Sequence, residues 1–271
     1  GQELLVCEPH PLVLELVGFL PVAVDAHHFP GALLHGDDVG QCDVVLEPRK
    51  VEVDVALVEH VVRIVVVLGR RRGLTVQTFK KGPDYIDPMW LTLASGRPCR
   101  NLDPYLSGPE AVRASFAKHA DLAQAAVVEG NMGLHDGMSI DGSDSSAGLA
   151  RLLEVPVILV IDARGMTRSI APLVLGMQAF DSDIVYAGVV LNHTGGTRHE
   201  TRLRQAIEHF TTLRVLGALG HDTRLGVVER PLGLVPSNET GIDEANAIVR
   251  QLVDVIEAGV DVAALSVGTS G

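Results

Sequence analysis

Two lysines, a Gly-Pro turn and two carboxylates three residues apart fall within ten positions, Phe79–Pro88 (FKKGPDYIDP). Asp84 and Asp87 are spaced to point the same way off a tight turn, with Tyr85 and Ile86 between them. Lysines beside paired carboxylates suit a site that handles an anion and a divalent cation together. The plainer alternative is a polar surface turn whose charges are solvated. A second stretch of the same design, Val127–Gly137 (VVEGNMGLHDG), weighs against it. There an apolar strand ends in Glu129, a Gly-rich turn follows, and Asp136 comes after it. A carboxylate at the rim of a core needs a cation or a donor to offset its desolvation.

The surrounding pattern says what must position these groups. Leu74–Phe79 reads as a strand that delivers the first cluster to a sheet end. Met89–Leu106 reads as mostly loop, on the turn signals Gly96-Arg97-Pro98 and Asn101-Leu102-Asp103-Pro104. Helices are expected over Pro109–Gln124, Ser143–Leu153, Met166–Phe180, Thr197–Phe210 and Asp243–Ala258. Strands are expected over Ala125–Glu129, Val155–Asp162, Ile184–Leu191 and Val215–Leu219. Short apolar strands alternating with helices predict an α/β fold: a doubly wound, mostly parallel sheet covered on both faces. Ligands of such sheets sit at the carboxyl ends of the strands. Lys80–Asp87, Glu129–Asp136, Asp162–Arg168 and Asn192 all fall there. Asp162–Gly165 also fits a simple strand-end cap, Asn192 a turn former, and His193 and His199 ordinary surface residues.

Composition narrows the partners. The chain has 271 residues, is 46% hydrophobic and carries a formal net charge of −12. It can bury one good-sized core, and nothing resembles the basic stripe that nucleic acid requires. Three cysteines (Cys7, Cys42, Cys99) without CxxC spacing predict a reducing, cytoplasmic setting and no zinc site. No apolar run reaches the roughly 18 residues of a membrane helix, so no membrane partner is expected.

Residues 1–60 read differently. Up to Pro48 there is no Lys or Arg, against eight acidic residues, four histidines and five prolines. Clusters such as Leu12–Leu16 are short, and neither helical nor strand periodicity persists. Asp25–Asp43 holds metal-binding residue types, but their spacing fits no compact ligand pattern, and an irregular loop is the expectation. A composition this foreign also fits a wrong-frame translation of the segment. The run Val53–Arg72 reads as a buried helix with a basic carboxyl end and a glycine cap at Gly73.

Taken in order, FKKGPDYIDP, GRPCRNLDP, VVEGNMGLHDG, GSDSSAGLARLL, PVILVIDARGMTRS, AGVVLNHTGGTRHE and ERPLGLVPSNE resemble the synthetase domain of the cobyrinate a,c-diamide synthases. The hydrogenobyrinate and nickel-sirohydrochlorin enzymes are relatives. The likeness runs from about Gly69 to Val262, and its strength lies in seven ordered motifs. It implies a P-loop-NTPase architecture of the dethiobiotin-synthetase-like branch, with an atypical N-terminal segment. The expected division is 1–60 in place of the first strand and P-loop, 61–259 as the synthetase domain, and 260–271 as a tail where a glutaminase domain would begin.

The resemblance further implies a ligase of cobalamin biosynthesis. Such an enzyme uses ATP, Mg²⁺ and ammonia from glutamine to amidate the a and c acetates of a corrin or related tetrapyrrole through an acyl phosphate. On that reading Asp84 and Glu129 hold the Mg²⁺ and the activated carboxylate. Asp87 is a further catalytic carboxylate on the macrocycle side, which Tyr85 and Ile86 also line, and Asp136 positions the second acetate. Lys80 faces the phosphates and Asn192 reads the adenine edge.

Two departures qualify the expectation. The family's GxxxxGK[ST] loop should place its lysine near Val58 and its hydroxyl near Glu59, and no such stretch occurs in this sequence. The chain also stops near the expected start of the glutaminase domain, so ammonia would come from another chain or from solution. Little amidation by the chain alone is therefore expected. The alternative is an inactive or truncated family member that binds a tetrapyrrole or partner subunit without ATP turnover. A homodimer is the expected assembly.

Overall fold

A computed structural model describes residues 12–19, 66, 69–71, 73–131, 133–220, 229–230 and 233–234. Seven parallel strands form its centre: β1 (Leu12–Phe19), β2 (Val76–Lys81), β3 (Arg100–Leu102), β4 (Ala125–Glu129), β5 (Val157–Asp162), β6 (Tyr186–Thr194) and β7 (Val215–Gly220), in the order β3-β2-β4-β1-β5-β6-β7. Strands β2, β4 and β5 are buried along their whole length, as all-parallel sheets require. The short β8 (Glu229–Arg230) and β9 (Gly233–Leu234) pair antiparallel in a separate ribbon.

The helices between strands are α1 (Ile86–Ser95), α2 (Pro104–Ser107), α3 (Pro109–Ala120), α4 (Ser146–Leu153), α5 (Ile170–Phe180) and α6 (Thr197–Phe210). They pack on a continuous core in which Phe79, Leu102, Leu134, Leu149, Leu159 and Ile161 are almost wholly removed from water. The alternation expected from 109 to 220 is present, with boundaries shifted by a few residues. Val66, Gly69, Arg70 and Arg71 are helical. The rest of the Val53–Arg72 helix, apart from Gly69–Arg71 and Val66, and the whole Asp243–Ala258 helix lie outside the described residues.

Two expectations are corrected. Met89–Leu106 is not mostly loop: it holds the end of α1, the strand β3 and the single turn α2. Pro88 falls in the first helical turn, where its missing N–H is harmless. Trp90, Leu91 and Ala94 then bury one face, and Gly96 closes the helix in the left-handed conformation. The second correction concerns 1–60, read as lacking a regular element. Leu12–Phe19 is the central strand, with Leu16 opposite both Glu129 of β4 and Ile158 of β5. The Asp25–Asp43 tract lies outside the described residues.

Candidate active site

Strand register brings the first cluster together. Lys80 in β2 lies opposite Glu129 in β4 and Asn101 in β3. Its Nζ donates to Glu129 Oε1 at 2.8 Å, stands 2.9 Å from Asp87 Oδ2, and reaches the Gly130 carbonyl at 3.4 Å. All three charged side chains are buried. Burial pulls the Lys80 ammonium toward neutrality, but the charges of Glu129 and Asp87 outweigh it and hold its pKa above the ordinary lysine value. Asp87 occupies the first turn of α1, where the helix dipole favours a carboxylate.

Asp84 completes the group. Gly82, at φ 82°, turns the chain out of β2, and Asp84 Oδ1 accepts the Ile86 N–H at 2.9 Å. Burial raises the Asp84 pKa, and the neighbouring Asp87 charge raises it further. Ile86 opens α1 half-buried, and Tyr85 before it is exposed. The side-chain amide of Asn101 donates to the Asp84 carbonyl, tying the turn to β3. Lys80, Asp84, Asp87 and Glu129 thus stand in one cluster.

Beyond β4 the backbone is pinned from α4. Asn131 N–H donates to Ser146 Oγ at 3.1 Å, and Ala147 N–H to the Leu134 carbonyl at 2.8 Å. Asp136 is exposed, and its carboxylate folds over Gly133 so closely that a Cβ there would lie 1.8 Å from Oδ2. Gly133, at φ 77°, is the residue this turn demands.

A second polar group lies across β1. Asp162 and Asn192 are register partners at the ends of β5 and β6. Asp162 takes Arg164 N–H on one oxygen at 2.9 Å and Arg164 Nε on the other at 2.8 Å, with His193 Nδ1 at 3.3 Å. Burial favours the neutral acid, but the bonds from His193 and Arg164 win and hold Asp162 down at about 2. Asn192 Oδ1 accepts the His193 N–H at 2.9 Å, which leaves the amide nitrogen out of that bond. His193 itself adopts a left-handed backbone, φ 54°. Sequence reasoning took His193 for an ordinary loop residue. The available signal was its place after a strand-ending Asn, since Asn, Asp and His tolerate φ > 0 best among non-glycines.

The donor set can be tested against the groups such a site would take. Among the described residues no three His, Cys, Asp or Glu side chains form a ready-made metal cage. Mg²⁺ does not need one, because it keeps several waters and takes one or two carboxylates. Asp84 beside Asp87 suits it, since a divalent cation would offset the burial and the repulsion that together raise Asp84. A phosphate-cradling loop is a different matter: the sequence contains no GxxxxGK[ST] stretch. No described helix is long and apolar enough to cross a membrane.

Known proteins resemble parts of this chain. The AAA domain family matches residues 107–227. The cobyrinate a,c-diamide synthase of Magnetococcus marinus is 51% identical over 168 residues, 62% of this chain and 36% of that protein. The hydrogenobyrinate a,c-diamide synthase of Brucella anthropi is 44% identical over 197 residues, 72% of this chain and 44% of that protein. Chloroplast FtsY from Physcomitrella patens superposes with a TM-score of 0.48 at 14% identity, covering 89% of this chain and 65% of that one. The chain spans about two fifths of the length of its curated relatives. Over that stretch its sequence is similar to the synthetase part of the cobyrinate and hydrogenobyrinate a,c-diamide synthases.

Proposed function

We propose that this chain carries the carboxylate-activating region of an a,c-diamide synthase. The reaction is amidation of the a and c acetates of cobyrinic acid or a related tetrapyrrole, with ammonia supplied by a glutaminase domain or subunit. The observation that carries the reading is the buried Lys80–Asp87–Glu129 cluster, with Asp84 beside it, at the carboxyl edge of a parallel sheet. A carboxylate is a poor electrophile, and phosphoryl transfer from ATP would make it reactive.

The chain's own residues then have distinct work. Asp84 and Glu129 hold Mg²⁺ and orient the acetate to be activated. Lys80 pairs with Asp87 and Glu129 and faces the phosphates. Tyr85 and Ile86 line the macrocycle side, and Asp136 positions the second acetate. Asn192 presents its amide nitrogen to a purine ring acceptor, an orientation consistent with the bond its oxygen accepts from His193. Residues 61–259, completed by β1 from the segment before them, act as the synthetase unit, working in the cytoplasm, with a homodimer as the assembly.

The missing phosphate-loop motif favours one specific variant of this reading: a chain that binds the macrocycle and turns it over slowly. The test is equilibrium binding of cobyrinate, followed by mass spectrometry of the macrocycle after incubation with MgATP and ammonium. Binding is expected, with little diamide formed, and what forms should vanish in Glu129→Gln. A chain that neither binds cobyrinate nor amidates it overturns the proposal. Robust turnover would show that another segment does the work of the phosphate loop.

A further inference from the structure

Ten large apolar side chains are strongly exposed among the described residues. Five of them, Tyr85, Tyr105, Leu106, Met138 and Ile140, stand on the three connections that leave the carboxyl ends of β2, β3 and β4. Those strands are neighbours in the sheet. Exposed apolar residues are ordinary when scattered, but a group gathered at one edge of a sheet is not.

The turns that carry these residues are held. Asn101 ties the Tyr85 turn to β3. Asp103 Oδ1 accepts the backbone N–H groups of Tyr105 and Leu106 at 2.9 and 3.1 Å. The Asp144 carboxylate accepts those of Met138 and Ser139 at 2.7 and 3.1 Å. These two bonds hold the Asp144 pKa down, and Lys81, at the end of β2, lies near enough to lower it further. Tyr85, Tyr105, Leu106 and Met138 therefore stand on pinned backbone at the sheet edge that also carries the acid cluster, with their surfaces left to water.

Charge says what that surface is for. A polycarboxylate approaching a chain of net charge −12 meets long-range repulsion, and Asp84, Asp87 and Glu129 deepen it locally. Binding must draw on an uncharged part of the ligand. A flat ring with an apolar face and acidic substituents at its edge offers one. It can rest its face on the rim while an edge carboxylate reaches Asp84. A protein partner seated on all three connections would instead close off the site.

We propose that Tyr105, Leu106, Met138 and Ile140 join Tyr85 in an apolar rim that grips the ring face of a carboxylate-bearing macrocycle and so selects it. This rests on the amidation reading and extends it to residues outside the acid cluster. Specificity then resides in side chains that take no part in activating the acetate.

The test is cobyrinate binding by equilibrium dialysis, read by the visible absorption of the macrocycle, at low and at moderate salt. Affinity is expected to hold or tighten as salt screens the repulsion. Tyr105→Ser and Ile140→Ser are each expected to weaken binding about three- to tenfold. Leu122→Ser changes an equally exposed residue at the amino end of β4 and should change nothing. Binding by the unmodified chain that both rim variants retain overturns the rim and leaves the amidation reading standing. No binding by the unmodified chain overturns both. Affinity that collapses with salt would mean capture through charge and also overturns the rim. So would rim variants that shift a dimer to monomer at unchanged cobyrinate affinity, because the patch would then join two copies of the chain.

Discussion

Lys80 is the residue on which the site's charge balance turns. One buried ammonium faces two buried carboxylates, 2.8 and 2.9 Å away, with Asp84 beside them at half exposure. The imbalance appears in Asp84, whose pKa is raised by burial and by the Asp87 charge. A carboxyl group whose folded pKa exceeds its unfolded value stabilises the fold only while protonated. That stability is full below the unfolded pKa and is lost as pH rises through the folded one. Asp84→Asn is therefore expected to raise the thermal midpoint in EDTA near neutral pH. Added Mg²⁺ should stabilise the unmodified chain and leave the variant unmoved. Equal Mg²⁺ responses in a thermal-shift comparison would remove Asp84 from any cation site. That Asp84 and Asp87 stand together was legible from the spacing DYID; that a lysine bridges Asp87 and Glu129 was not. Periodicity argues against burying a lysine within a strand, and its partners Glu129 and Asp87 make it tolerable.

The elements that carry the site obey the same competition between pattern and partner. Apolar runs such as Val157–Ile161 announce themselves, because a strand buried on both faces has no polar alternation to obscure it. Helix α1 was hidden by Pro88 and by the Gly-Arg-Pro that follows it. Strand β3 is only three residues long and owes its existence to pairing with β2. Longer-range bonds also decide the ends of β5 and β6, where Asp162 gathers Arg164 and His193. Asp162 is held at about 2 against an ordinary value of 3.8. Its contribution is complete above the unfolded value and is lost as pH falls through the folded one. Asp162→Asn should therefore lower the urea midpoint near neutral pH and flatten its decline between about pH 4 and pH 2. An acid limb of unchanged steepness in the variant would show that Asp162 adds nothing to the joint between β5 and β6.

At the scale of the whole molecule, the two polar groups stand on different halves of the sheet. Lys80, Asp84, Asp87 and Glu129 belong to β2, α1 and β4, while Asp162 and Asn192 belong to β5 and β6. Within the sheet β1 alone lies between the halves: β4 and β5 each pair with it, and Leu16 faces both at once. A strand drawn from the least regular part of the sequence therefore sets the separation between the acid cluster and Asn192. Its eight residues carry Glu15 and Gly18 amid apolar neighbours, which is why no period was legible there. Proline is excluded from central strands because it removes a ladder N–H and leaves its acceptor unpaired. Leu16→Pro should cost at least about 1–3 kcal/mol for that acceptor alone. It should also loosen both flanks together, so that amide hydrogen exchange at Val127–Glu129 and at Ile158–Ile161 accelerates in parallel. Acceleration confined to one flank would mean that β1 does not join the halves. In that case each polar group would keep its own geometry, and ligands that engage only one of them would bind the variant as they bind the unmodified chain.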